Sequence, residues 1–287
     1  MPRLETVQLV NREAQVSNAA IYRKDLPRSG YISAIDVGVR ITNGGTPPAD
    51  MELVDIIKHI SLVVNGTDYR IHISGPDLFR LNWLMTGRPM PYVHDETADA
   101  VQEVWFRLPF GRYLGDVMYG LNLARYANVQ LQIDYDASAM GIADTHFVSG
   151  SVTFTILLHA FPLTQAPTFR GMLGLREIWT YTTVGGNAYK VVDLPNQNHL
   201  AELFLVTRKD AVAEGTCVSE IRIGRDNFNT LYYDGYWYNF QTITNHKLIE
   251  RTYRLGVVCS SGDTRHLPIA NITTATAKAR TAVGGAA

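Results

Sequence analysis

Apolar residues recur at every second position through most patterned segments of this chain, and the 3.6-residue rhythm of a helix is scarce and short. That alternation predicts strands with one face buried. Tyr31 to Thr42 puts Ile35, Val37, Val39 and Ile41 on one face, and Gly44-Gly45 with Pro47-Pro48 then break the strand. Ile60 to Val64 is a second strand, Asn65-Gly66 supplies a turn that needs positive φ, and Tyr69, Ile71 and Ile73 form the return strand. Pro76-Asp77 opens LFRLNWLM, whose Leu78, Leu81, Trp83 and Leu84 suit a helix. Val101 to Leu108, Val129 to Tyr135 and Ser151 to Ala160 complete the strand series, with turns between them in the manner of a sandwich or barrel.

Punctuation sets the expected organisation. FPLTQAPTFR, from Phe161 to Arg170, carries two prolines in a polar setting and reads as a boundary between domains. Residues 1–24, with Leu4, Val7, Val10 and Ala14 loosely at helical spacing, read as an N-terminal arm ordered by neighbours. The expected units are therefore an arm at 1–24, a first β unit at 25–162 and a second at 163–287.

Beyond the boundary the pattern starts again. Leu26-Pro27 recurs as Leu194-Pro195, and at the same offset Ile32, Ile35 and Val37 fall on Leu200, Leu203 and Leu205. At a slightly shorter offset Ile60 and Leu62 fall on Ile221 and Ile223, and Asn65-Gly66 lands on Asp226-Asn227, another polar pair able to turn a hairpin. An aromatic return strand, TLYYDGYWYNF, follows. Preserved strand phase, hairpin and order favour a duplicated sandwich over a β domain with an unrelated appendage.

Charge and cysteine content narrow the function classes. Lys and Arg number 26 against 27 Asp and Glu in 287 residues, which removes the simplest electrostatic case for a dedicated nucleic-acid binder and leaves room for a local basic patch; no sequence-specific nucleic-acid binding is expected. Cys217 and Cys259 lack zinc spacing and read as reduced, buried small hydrophobes. No apolar run approaches the ~18 residues of a bilayer span, and MPRLETVQLV lacks the basic-then-apolar order of a signal peptide, so assembly in a cytoplasm is expected.

The residues offer little convergent chemistry. His59 and His72 sit on adjacent hairpin strands, where a cupin would hold a metal, yet HISLVV and RIHIS lack the paired histidines and nearby carboxylate such a site needs; they read as paired or satisfied histidines. His94-Asp95-Glu96 reads as a solvated loop, and the sequons at Asn65 and Asn271 as accidental. No phosphate loop is present, and no metal or cofactor is expected. The run Tyr232, Tyr233, Tyr236, Trp237, Tyr238 and Phe240 remains, either as a stacking platform for sugars or bases or as core and subunit anchors, with packing and interface favoured.

Two phrases, ISLVVNGTDYRIHISGPDL at Ile60 to Leu78 and LPFGRYLGD followed by LNLARYANVQLQIDYD at Leu108 to Asp136, resemble the hairpin and the loop-to-strand segment of small prokaryotic double jelly-roll major capsid proteins. That group includes the tectiviruses, corticoviruses, adenovirus hexon and the membrane-containing phages of Flavobacterium. The resemblance implies an all-β chain of two tandem jelly-roll sandwiches with short helical insertions. It implies a structural role without catalysis: homotrimers with a hexagonal outline tile an icosahedral virion shell, beside other capsid or penton proteins and over an internal viral membrane. The long connections at Gly44 to Asp55, Pro89 to Asp99 and Arg112 to Tyr126 would differentiate the surfaces of such a unit. Two features depart from the pattern. The second unit leaves fewer residues after YWYNF than the first uses, and ITTATAKARTAVGGAA offers no closing apolar strand, so the second roll is abbreviated, weakly patterned or cut short. A carbohydrate-binding β-sandwich, as in a receptor-binding or spike-like viral protein, is the competing class, and a cupin-type enzyme the third.

Overall fold

The computed structural model describes residues 3–45, 53–86, 90–95, 97–138, 147–180, 190–194, 203, 218–225, 228–236, 239, 256–258 and 264–266. The chain divides into two compact units, Met1–Glu177 and Ile178–Ala287. In the first unit the strands run β1 (Glu5–Ala14), β2 (Ala19–Asp25), β3 (Tyr31–Thr42), β4 (Ile57–Val64) and β5 (Asp68–Ile73). Helix α1 (Gly75–Thr86) follows, then β6 (Tyr92–Val93), β7 (Val101–Pro109), β8 (Leu121–Asn122), β9 (Val129–Asp136), β10 (Thr153–Phe161) and β11 (Leu175–Arg176).

These strands form two sheets, one ordered β1-β10-β3-β7-β6 with β8 paired to β3, the other β11-β5-β4-β9-β2. Without the short strands β6, β8 and β11, eight strands remain, and counted along the chain they lie in the orders 1-8-3-6 and 2-7-4-5. That is the double Greek key of a jelly roll. Strand alternation builds its core. Ile35, Val37 and Val39 of β3, with Val104, Phe106 and Leu108 of β7, are buried at 0% exposure, and Ile60, Leu62, Leu131 and Ile133 meet them from the other sheet.

The hairpin expected at Asn65-Gly66 forms, with φ of 53° and 82° at those residues and Val64 opposite Asp68. The helix expected from LFRLNWLM is α1; Ser74 caps it, its Oγ accepting from Asp77 N at 3.4 Å and donating to the Asp77 carboxylate at 2.7 Å. Leu78, Phe79, Leu81 and Trp83 are buried, and so are Arg80 and Asn82. Asn82 uses both ends of its amide on the backbone of Arg107, donating to its carbonyl at 2.6 Å and accepting from its N–H at 2.7 Å. Together with Pro91 O, which accepts from Trp105 N at 3.0 Å, this closes the outer edge of β7.

Two expectations differ from the structure. Residues 1–24 are no free arm, because they supply β1, paired to β10, and β2, paired to β9. Their alternation is concealed by register breaks at Gln8/Val10 and Val10/Glu13 and by positive φ at Arg12, and only Val10 and Tyr22 in these strands are buried. The unit boundary falls after Glu177, not at 162/163. Phe169 lies inside the expected linker and is buried, its ring against Tyr31 and Phe161 at 5.8 Å, and β11 then pairs in parallel with β5.

In the second unit β12 (Glu220–Arg225) and β13 (Thr230–Tyr236) form an antiparallel hairpin, and β14 (Gly256–Val258) pairs with β15 (Thr264–His266). The hairpin stands where the repeat of β4 and β5 was expected. Leu200, Leu205, Pro195, Asp226 and Asn227, also part of that repeat, lie outside the described residues, as do Cys217 and Cys259.

Candidate functional site

The aromatic hairpin of the second unit carries the residues singled out by the sequence. On β13, Asp234 and Tyr236 share one face by strand alternation, a register shift at Tyr232 interrupts the alternation ahead of them, and Tyr232 and Tyr236 are 65% and 64% exposed. Between them Asp234 accepts from Arg222 Nε of β12 at 2.9 Å. Tyr233 takes the other face, its hydroxyl donating to Tyr236 O at 2.9 Å. Two exposed tyrosines thus stand on β13 on either side, along the chain, of an ion pair to β12. Trp237, Tyr238 and Phe240 lie outside the described residues.

In the first unit His59 and His72 do meet. Their rings stack at 4.5 Å with 9° between planes, and Tyr69 lies edge-on to His72 at 5.6 Å. Ser61 Oγ is 2.8 Å from His72 Nδ1, and Glu177 Oε2 is 3.9 Å from His59 Nε2. Burial and then the neighbouring His59 push the His72 pKa below its ordinary value, against the pull of Glu177 and Asp134. The stacked rings present faces to each other, and among the described residues no group of His, Cys, Asp and Glu could hold a metal ion. In the loop ahead of β7, His94 Nδ1 is 3.2 Å from Tyr92 Oη, and Asp95 accepts from Thr97 N at 2.8 Å; the Thr97 side chain first and this backbone bond second lower the Asp95 pKa, and Glu96 lies outside the described residues.

Two polar clusters were not singled out from the sequence. The first crosses the outer face of one sheet over four strands. His159 Nε2 donates to Asp36 Oδ2 at 2.8 Å, Arg107 donates to both Asp36 oxygens at 2.7 and 2.6 Å, and Thr6 Oγ1 is 3.3 Å from His159 Nδ1. Burial raises the Asp36 pKa, but the Arg107 and His159 bonds outweigh it and hold the carboxyl below its ordinary value. The polar positions of β3, β7 and β10 are the only signal, and they say nothing of partners until register is known.

The second cluster organises the loop after β7. Arg112 grips Asp116 through Nε at 2.8 Å and a second nitrogen at 3.2 Å, and Asp116 also accepts from Arg112 N and Met118 N at 3.2 and 2.9 Å. These bonds, that of Arg112 first, lower its carboxyl pKa to about 2. The Arg112 guanidinium lies over Tyr113 and Tyr119 at 5.7 and 5.2 Å. So fixed, the loop leaves Tyr113, Leu114 and Val117 exposed.

No protein-family model and no curated protein matches the chain. Among solved structures, one similar chain is the STIV MCP, from Sulfolobus Turreted Icosahedral Virus, at 17% identity and a TM-score of 0.42 over 56% of this chain and 48% of that one. The PBCV-1 virus capsid is similar at 19% identity and a TM-score of 0.40, over 57% of this chain and 43% of that one. The major capsid protein P2 from Bacteriophage PM2 is similar at 11% identity and a TM-score of 0.36, over 55% of this chain and 50% of that one. The chain thus spans about half the length of these viral capsid proteins, and the likeness to them is one of fold.

Proposed function

We propose that this protein is a structural component of a viral shell, a major capsid protein that acts by self-association and not by catalysis. The observation that carries the reading is the eight-strand jelly roll of the first unit, together with a hairpin in the second unit where the sequence repeat predicts one. A jelly roll alone names no activity; here it is joined to the capsid-like phrases at Ile60 to Leu78 and Leu108 to Asp136.

A shell unit needs a stiff scaffold, flat flanks and differentiated ends. The ion-paired outer face at Asp36 and the closed edge of β7 serve the first two. The connections serve the third. Those at Gly44 to Asp55 and Pro89 to Asp99 leave the end of the roll where β3 finishes, and that at Arg112 to Tyr126 leaves the end where β3 begins. In this reading three copies form a pseudo-hexagonal capsomer, capsomers tile an icosahedral virion with other capsid or penton proteins, and a membrane lies beneath. Tyr232, Tyr233, Tyr236, Trp237 and Tyr238 are interface contacts, the exposed pair Tyr232 and Tyr236 first among them.

Sedimentation of the purified chain tests the proposal. Trimers, and hexagonal particles by electron microscopy, are expected; a stable monomer at high concentration refutes it. Tyr232→Ala with Tyr236→Ala should weaken association about tenfold or more while leaving the far-ultraviolet dichroism unchanged. Glycan binding lost in the same variant would instead favour the sugar-binding reading.

A further inference from the structure

The two ends of the first roll differ in charge. Strand register places the connections 26–30, 65–67, 110–128 and 162–174 at one end, together with the residues ahead of β1: Tyr31 pairs with Asn122 and Phe161, Asn65 N donates to Asn128 O, and Arg170 N to Met118 O. These segments carry Arg3, Arg28, Arg112, Arg125 and Arg170, each exposed, against the single acid Asp116, which is buried. The connections at the opposite end, 43–56, 74–100 and 137–152, hold an excess of Asp and Glu over Lys and Arg in their sequence. The basic end also exposes apolar side chains: Tyr113 at 59%, Leu114 at 44%, Val117 at 40% and Leu163 at 71%.

We propose that this basic, apolar-tipped end of the first roll is a contact surface for an anionic lipid bilayer, with Arg3, Arg28, Arg125 and Arg170 on the headgroup phosphates and Tyr113, Leu114 and Val117 in the interfacial layer. Charge complementarity selects an anionic partner. The apolar tips then select lipid over nucleic acid, because a phosphate backbone offers nothing to Leu114 or Val117, whereas the headgroup boundary accepts aromatic and aliphatic side chains. The Arg112–Asp116 bonds hold the loop in shape, so little ordering entropy opposes docking. The inference deepens the membrane component of the shell reading by naming the surface that makes the contact.

Flotation of the full chain with vesicles of phosphatidylglycerol and phosphatidylcholine, against vesicles of phosphatidylcholine alone, tests it. Binding to the anionic vesicles only, weakening with added salt, is expected. Arg28→Ala with Arg170→Ala should lower partitioning about 25-fold, at about fivefold for each arginine, and Leu114→Ser should lower it several-fold, all with unchanged circular dichroism. Equal binding to both vesicle types, variants that bind as the parent does, or no binding at all would each overturn the proposal. Binding to a 30-base-pair duplex but not to vesicles, with Leu114→Ser neutral, would overturn it in favour of nucleic acid. Sedimentation of the same samples separates this from the shell reading: lipid binding by a chain that stays monomeric leaves the lipid surface standing and removes the capsomer.

Discussion

Asp36 shows how a charge can be kept on a β-sheet face that water barely reaches. With a side chain only 9% exposed, it needs both Arg107 and His159, and removal of either leaves its carboxylate undercompensated. Arg107→Ala should destabilise the first unit by about 3–5 kcal/mol, read as the midpoint of urea unfolding, whereas surface changes such as Arg28→Ala should do almost nothing. The acids and the stacked histidine have pH signatures of the same sign. Asp36 and Asp116 have folded pKa values below their unfolded value of 3.8, so their contribution is present above about that pH and is lost as pH falls, for Asp116 down to about 2. His72, whose folded pKa lies below 6.5, is bound by more protons when unfolded, so its stabilisation is complete above pH 6.5 and declines below it. Unfolding midpoints of the parent should therefore fall between pH 7 and pH 5, and in His72→Gln that fall should shrink; an unchanged slope would remove His72 from this role.

At the scale of the element, edges and caps decide more than propensity. α1 carries little amphipathic pattern because it is covered on several sides, with Arg80 and Asn82 buried beside Leu78 and Phe79. Asn82 stands in for a neighbouring strand at Arg107, so Asn82→Ala should cost about 1–3 kcal/mol, the penalty of leaving a backbone donor and acceptor unmet. Amide exchange at Arg107 reports it directly, because protection should fall there first. Close approach is equally specific at Gly120, where an added Cβ would collide with the Phe169 ring that covers this end of the core. Gly120→Ala should then cost about 1–3 kcal/mol by overpacking, measured as a lowered thermal midpoint.

For the molecule as a whole, the first unit contains all eight strands of its roll and both faces of its core, so it should fold without the second. Residues 1–177 expressed alone are expected to unfold in one cooperative transition. A fragment that unfolds without cooperativity would mean that the second unit completes the first. Self-association belongs to this scale too, and the sedimentation experiment that tests it should be run on both fragment and full chain. Loss of association in the fragment alone would locate contacts such as Tyr232 and Tyr236 in the second unit.

Alternation by itself determined β3, β4, β5, β7, β9 and β10, because a face buried against a core must be apolar at every second position; Asn65-Gly66 determined the hairpin, because a positive-φ turn needs Asn and Gly, and Pro76-Asp77 with the apolar spacing that follows determined α1. The pairing of His59 with His72 was legible for the same reason, since a hairpin brings neighbouring strands together. Tertiary structure alone decided that residues 5–25 are strands, because they lie at sheet edges with bulged register and bury only Val10 and Tyr22, too few positions to leave a period. It alone decided the Thr6, His159, Asp36 and Arg107 row and the basic end of the roll. Each gathers residues far apart in the chain, and no local pattern encodes which distant strand or connection becomes a neighbour.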